Sequence, residues 1–146
     1  MAFVRRAAWA AIGMGVLGLA LTLPAQSGDT YKARLSAVPA DARTRPSLAG
    51  IGSATATLSG TKLTITGSFE GLLSPASMAQ LHAASAAGIR GPVIHDLTIS
   101  PAASGSISGS VELTPQQIES LRKGGLYIQI HSQKAPDGVL WGWLLR

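Results

Sequence analysis

The 146-residue chain has room for one modest domain, and its lack of cysteine excludes disulfides, thiolate metal ligands and a lipidated cysteine. Twelve Lys and Arg residues against seven Asp and Glu give a formal charge of +5, which becomes +3 (ten against seven) when Arg5 and Arg6 are set aside. The remaining basic residues are dispersed, without a basic run interleaved with aromatics, and this argues against a nucleic-acid partner.

The first 27 residues have the pattern of an export signal. Arg5 and Arg6 precede an uncharged, mostly apolar run from Ala7 to Leu23. Cleavage after Ser27 or Ala25 would leave a mature domain at 28–146 and a periplasmic or secreted protein. The alternative is an uncut membrane anchor, since the apolar run reaches the short end of the roughly 17 to 25 residues that span a bilayer.

Alternating apolar and polar residues predict strands in the first half of the mature chain. One strand runs from Tyr31 to about Val38, where Pro39 ends it. Ala54 to Leu58 and Leu63 to Phe69 alternate on either side of a Ser-Gly-Thr turn. These two segments are predicted to form a hairpin.

The middle of the chain is less uniform. Met78 to Ala84 is compatible with a short helix or a strand, and local sequence does not decide between them. Val93 to Ile99 and Ile107 to Leu113 alternate as strands. A helix should follow, with Thr114 as N-cap, Pro115 at the first helical position, Gln117 in capping-box register and Gly124 after the last turn.

The chain closes on two strands joined by a turn. Tyr127 to Ser132 leads into Pro136-Asp137-Gly138, and Val139 to Leu144 follows. About seven short strands separated by turns are typical of a β-sandwich or a small barrel. We therefore expect an antiparallel β-sandwich, of immunoglobulin-like or superoxide-dismutase-like architecture, with one short helix.

Several motifs together resemble one known family. In chain order they are Ala37-Val38-Pro39, Ala79-Gln80-Leu81-His82, Gly91-Pro92-Val93, Leu113-Thr114-Pro115 and the closing segment Tyr127 to Leu144. From about Thr30 to Leu145 the chain resembles the CHRD domain, named from chordin and found in many secreted bacterial proteins. The resemblance implies an extracellular β-sandwich of mostly unassigned biochemical role, associated in chordin with binding secreted growth factors. It implies no established enzymatic activity.

The chain departs from the family pattern at two positions. Gln80 and His82 stand where the family usually has a His-x-His pair, so the first histidine is absent. Trp141 stands where the family often has an arginine before the glycine. These departures leave the expected fold intact and put a shared ligand site in doubt.

Metal binding is the clearest chemical possibility. Imidazole suits copper and zinc, and histidines distant in sequence can converge in a sandwich. His82 and His131 are the candidate pair, and His95 is either a third ligand or a histidine at the edge of the core. No G-x-S-x-G nucleophile elbow and no paired carboxylates occur, so we expect no enzyme and no catalytic residue.

The tryptophans of the closing strand suggest a partner surface. Trp141 and Trp143 lie two residues apart and share a face, while Leu140 and Leu144 make the opposite face apolar as well. Such a stripe belongs either to the core or to a binding surface. The candidate partner-binding residues are Trp141, Trp143 and Tyr127.

Three functional hypotheses follow. The first is a non-enzymatic exported module that binds a protein partner or an envelope component. The second is a periplasmic copper- or zinc-binding protein using His82 and His131. The third is a membrane-tethered accessory subunit of a larger periplasmic complex, should the N-terminal segment stay uncut.

Overall fold

A computed structural model describes residues 28–146. This part of the chain contains eight strands, one short 3-10 helix and one α-helix. They are β1 (Asp29–Ala37), the 3-10 helix (Arg45–Ser47), β2 (Ile51–Ser59), β3 (Lys62–Glu70), β4 (Ala76–Ala83), β5 (Val93–Ile99), β6 (Gly105–Glu112), α1 (Pro115–Arg122), β7 (Leu126–Ser132) and β8 (Leu140–Trp143).

The eight strands form a closed antiparallel barrel in the order β1-β2-β3-β6-β5-β4-β7-β8. The expected β-sandwich is wrong, because the last strand pairs with the first. Ser36 is in register with Trp141, Ala37 with Leu140, and Lys32 bridges Leu145. Closure leaves neither β1 nor β8 as an open edge, which removes the unpaired backbone groups that an edge strand exposes.

Alternation positions the core as the sequence predicts. The inward side chains of β1 include Tyr31 and Leu35, and those of β3 include Leu63, Ile65 and Phe69, all at most 3% exposed. The predicted hairpin is confirmed, since β2 and β3 pair along their full length from Ile51–Glu70 to Ser59–Lys62. Gly60 at its turn has φ +62°, a conformation that glycine adopts without steric cost.

The segment that local sequence leaves undecided is a strand. β4 pairs with β5 on one side and with β7 on the other. Ala79 and Leu81 point into the core and are fully buried. Pairing with the next strand, β5, and with β7 about fifty residues further along the chain therefore overrides the weak helix preference of its alanines.

The predicted helix is confirmed together with its capping box. The Thr114 hydroxyl accepts from the backbone N–H of Gln117 at 3.2 Å, and the Gln117 side chain accepts from the N–H of Thr114 at 3.0 Å. Gly124 follows the last turn with φ +76°. Leu121 is fully buried, so the helix packs its apolar side against the barrel.

The predicted signal segment, residues 1–27, lies outside the described residues. Within 28–146, no helix has the length and apolar character needed to cross a membrane.

Candidate binding site on the outer face of the barrel

Strand β7 is buried on both of its faces. Leu126, Ile128 and Ile130 point into the core and are fully buried. The outward residues Tyr127, Gln129 and His131 are also at most 8% exposed. In a barrel, outward side chains are buried only when something covers them, so this wall carries an additional layer.

Four aromatic rings form a cluster in this layer. His82 of β4 is paired with Tyr127 of β7, and Tyr127 with Trp143 of β8. The rings of His82 and Tyr127 are stacked, with centroids 4.6 Å apart and planes inclined by 14°. Tyr127 lies 5.1 Å from Trp143 and 6.1 Å from Trp141, and the two tryptophans are 4.7 Å apart. Cross-strand register thus builds one continuous aromatic row.

The β4–β5 loop is fixed to this row through Gly91. Its carbonyl accepts from Nδ1 of His82 at 2.9 Å and from the Tyr127 hydroxyl at 3.1 Å. Its N–H donates to the same hydroxyl oxygen at 3.1 Å. A Cβ at position 91 would lie 2.0 Å from the carbonyl oxygen of Ala83, so only glycine allows this approach.

Arg90, next to this anchor, reaches along the face to β8. Its guanidinium carbon lies 4.6 Å from the centroid of the Trp141 ring, the geometry of a cation–π contact. The arginine therefore covers the aromatic row and presents a positive charge at the surface.

The β7–β8 loop covers the other end of the same face. Nδ1 of His131 donates to the carbonyl of Pro136 at 2.8 Å, and Nε2 of Gln129 donates to the carbonyl of Asp137 at 2.9 Å. Gly138 has φ +127° and leaves no room for a side chain, because a Cβ would lie 2.2 Å from Nε2 of Gln129. Two outward polar side chains of β7 thus hold this loop against the barrel.

Both histidines of this face have the same hydrogen-bonding state. A carbonyl oxygen only accepts, so Nδ1 carries the hydrogen in His82 and in His131. Nε2 of each neutral ring then has a free lone pair, and both Nε2 atoms are buried without a partner among residues 28–146. Metal-binding histidines commonly have this arrangement, with the second nitrogen oriented by a carbonyl.

Burial also affects the charge of His82. Loss of solvent lowers its pKa below the ordinary value of 6.5, and the hydrogen bond to Gly91 opposes this shift. Repulsion from a protonated His131 ring and from the guanidinium of Arg90 acts in the same direction as burial and lowers the pKa of His82 further. His82 therefore favours the neutral form, in which Nε2 is a ligand or a hydrogen-bond acceptor.

His95 does not join this pair. It is in register with Leu81, whose side chain lies in the core, whereas His82 is the next residue along β4 and faces outward. Since paired residues share a face, His95 is on the inner side of the wall, half-buried. Among residues 28–146 no group of three or more His, Cys, Asp or Glu side chains could hold a metal ion.

The tryptophans do not belong to the barrel core. Leu140 and Leu144 of the closing segment are fully buried inside, whereas Trp141 and Trp143 are half-buried on the outer face. They form one wall of a groove of about 520 Å³ along β8 and β1. Its other lining residues include Lys32, Arg34, Ser36 and Leu145.

Sequence reasoning proposed His82, His131, Tyr127 and both tryptophans, and the structure brings all five to one wall. It missed Arg90, Gly91 and the two basic residues of the groove. Gly91-Pro92 was visible as a turn signal, but nothing local shows that this turn folds over β7.

The comparisons with known proteins identify one relationship. No curated protein and no solved structure matches the chain significantly. A family model for the CHRD domain matches residues 31–144, from β1 through the last residue of the buried closing segment. The motif resemblance and this match agree, and the chain belongs to the CHRD domain family.

Proposed function

We propose that this chain is an exported, non-enzymatic module that binds a protein partner through the groove along β8 and β1. Membership of a family of non-catalytic modules supports the absence of enzymatic activity. Export is supported by the pattern of residues 1–27 in the sequence.

One observation carries the proposal. Trp141 and Trp143 are half-buried, and together they form the wall of an open groove rather than a part of the core. Tryptophan is enriched in binding hot spots because it offers a large, rigid contact area with a polar N–H. Their rings contact each other at a centroid distance of 4.7 Å, so the two tryptophans present one continuous aromatic surface to the groove.

The charges beside the tryptophans indicate the chemistry of the partner. Lys32 and Arg34 line the groove, and no ion pair neutralises either of them within the described part of the chain. An acidic protein segment that also carries an apolar side chain complements this surface. A membrane-retained or secreted envelope protein is the partner class we expect.

Site-specific photo-crosslinking tests the proposal in the native envelope. A photoreactive residue at Ser36, within the groove, should yield a discrete adduct. A photoreactive residue at Thr66, on the exposed outer face of β3, should not. Arg34→Glu should reduce the Ser36 adduct at least several-fold, and Arg122→Glu on α1 is the charge-matched control. Equal adducts from both positions, or none from Ser36, would contradict the proposal.

The fate of the N-terminal segment has a separate test. Cleavage after Ser27 or Ala25 predicts a mature mass lacking those residues and a protein released from membranes by washing. A full-length mass together with membrane retention would favour the tethered accessory subunit instead.

A copper- or zinc-binding role is the second candidate, and the buried, unpaired Nε2 atoms of His82 and His131 favour it. His82 lies opposite Tyr127, and His131 lies opposite Met78, four positions away along both strands. A shared ion would therefore require both rings to turn toward Gln80 and Gln129 between them, and its further ligands would come from other side chains or water. Met78 pairs with His131 and is exposed, so its thioether is available on the same face. Thioether and imidazole donors together favour copper(I) over zinc.

Metal titration separates this candidate from the protein-binding role. The full-length chain should take up copper at micromolar concentrations, and His82→Ala and His131→Ala should each abolish uptake. His95→Ala is the matched control, because His95 lies on the inner side of the barrel wall. Absence of uptake, or equal loss in the His95 variant, would exclude the pair as a metal site.

A further inference from the structure

A second cavity, of about 430 Å³, lies at one end of the covered wall, which consists of β4, β7 and β8. It is separate from the groove lined by Trp141 and Trp143. Three loops converge on it, and each contributes a basic side chain. Arg43 comes from the β1–β2 loop, Arg90 from the β4–β5 loop and Lys134 from the β7–β8 loop. We infer that this cavity binds a small organic carboxylate.

The three cations are not neutralised by the protein. Within residues 28–146 none of them forms an ion pair, and Asp137 is the one acidic residue in the lining. Asp41, close to Arg43 in sequence, makes its hydrogen bonds within its own turn. Its carboxylate accepts from the backbone N–H groups of Thr44 and Arg43, both at 2.8 Å, and from the Thr44 hydroxyl at 3.1 Å.

Local hydrogen bonds hold the walls of the cavity in place. The carbonyls of Pro136 and Asp137 are bound by His131 and Gln129, and the N–H of Lys134 donates to the Ser74 hydroxyl at 2.9 Å. The guanidinium of Arg90 rests on the Trp141 ring. A site whose loops are already ordered loses little conformational entropy on binding.

The remaining lining defines the body of the ligand. Val38, Leu48, Ala135 and Pro136 form an apolar wall, and Leu48 also packs against the barrel core. Arginine binds carboxylates through two parallel hydrogen bonds, and the volume fits a small molecule rather than a free ion. An anion with an apolar body contacts both the basic side chains and the apolar wall, whereas inorganic phosphate contacts only the basic side chains.

Calorimetric titration of the full-length chain in mild detergent tests the inference with three probes. Benzoate should bind, while benzamide, which lacks the charge, and inorganic phosphate, which lacks the apolar body, should each bind at least about tenfold more weakly. In a Trp9→Phe background, benzoate should also change the tryptophan emission, because Arg90 contacts Trp141.

Substitutions locate the binding. Arg43→Gln and Lys134→Gln, both at exposed positions, should weaken benzoate binding about tenfold, and Arg122→Gln should leave it unchanged. No benzoate binding at millimolar concentration, equal binding of benzamide or phosphate, or an equal loss in the Arg122 variant would overturn the inference. Arg34→Glu should not alter benzoate binding, so the groove proposal and this one fail independently.

Discussion

Two walls of the same barrel differ in what they present outward. The wall of β2, β3 and β6 exposes short hydroxyl side chains, namely Thr55, Thr57, Thr64, Thr66, Ser68, Ser106, Ser108 and Ser110. The wall of β4, β7 and β8 carries histidine, glutamine, tyrosine and tryptophan, and the β4–β5 and β7–β8 loops cover much of it. Both walls bury the same kind of aliphatic face inside. The inner face therefore stabilises the fold, and the two walls differ in their outer side chains.

The outer side chains of the two walls indicate where binding should occur. Rows of hydroxyl side chains that face water are compatible with a half-exposed β-sheet, and they need no contact with another part of the protein. Large aromatic and imidazole side chains under a cover need specific partners, since each buried polar atom left unpaired is costly. The orphaned Nε2 atoms of His82 and His131 lie on the covered wall, and three cations without an ion pair among residues 28–146 lie in the loops around the cavity at its end.

The largest expected contrast between the walls is in stability. Tyr127→Ala removes a fully buried ring and the hydroxyl that binds Gly91, and it should lower the free energy of unfolding by about 3 to 5 kcal/mol. Thr66→Ala, on the exposed wall, should change it by less than about 0.5 kcal/mol. Urea unfolding of both variants gives the comparison. Similar values would show that the cover contributes no packing.

Glycine substitutions give the next largest effect. Gly60→Ala and Gly138→Ala both force a side chain into positive φ. This costs on the order of 1 to 2 kcal/mol in the left-handed helical region of Gly60, and at least as much at Gly138, whose φ of +127° lies outside that region. A methyl group at 60 meets nothing within 4 Å, whereas at 138 it displaces Gln129 from its bond to Asp137 and should cost about 1 kcal/mol more. Thermal unfolding measures both. The additional loss should disappear when Gly138→Ala is made in a Gln129→Ala background, and its persistence would contradict this explanation.

The sequence predicted elements defined by local signals and missed the contacts between distant segments. The alternation around Tyr31 and Ile65, the turn at Gly60 and the capping box at Thr114 each depend on neighbouring residues, and all are confirmed. Barrel closure depends on pairing of Ser36 with Trp141, more than a hundred positions apart, and no local pattern encodes it.

For the candidate site, as for the fold, the sequence predicted the residues on strands and missed those in loops. Residues on strands, such as Tyr127 and His131, were assigned to the correct face by alternation. Arg43 and Arg90 come from loops, and the approach of a loop to a strand depends on tertiary contacts, such as the carbonyl of Gly91 on His82. Loop residues therefore entered the site only with the structure.

The pH dependence of stability tests the burial of His82. Because its folded pKa is lowered, the unfolded chain holds more protons between that pKa and about pH 6.5. The stabilisation is fully present above pH 6.5, and it should be lost as the pH falls through the folded pKa. His82→Gln should flatten this part of the curve in urea unfolding, while Thr66→Ala should keep the parental slope. An unchanged slope in the His82 variant would contradict the assignment.

Among the residues of the covered wall and its loops, Arg90 has the smallest expected effect on stability. Its substitution distinguishes a role in covering the wall from a role in binding a ligand. Its guanidinium is at an exposed position over Trp141, so Arg90→Ala should lower the free energy of unfolding by only about 0.5 to 1 kcal/mol. The same substitution removes one of three cations from the cavity and should weaken benzoate binding about tenfold. Arg122→Ala is the control for both measurements. A loss of stability as large as that of Tyr127→Ala, without a change in benzoate binding, would assign Arg90 to the packing of the cover, since a contact made for a ligand should affect binding more than folding.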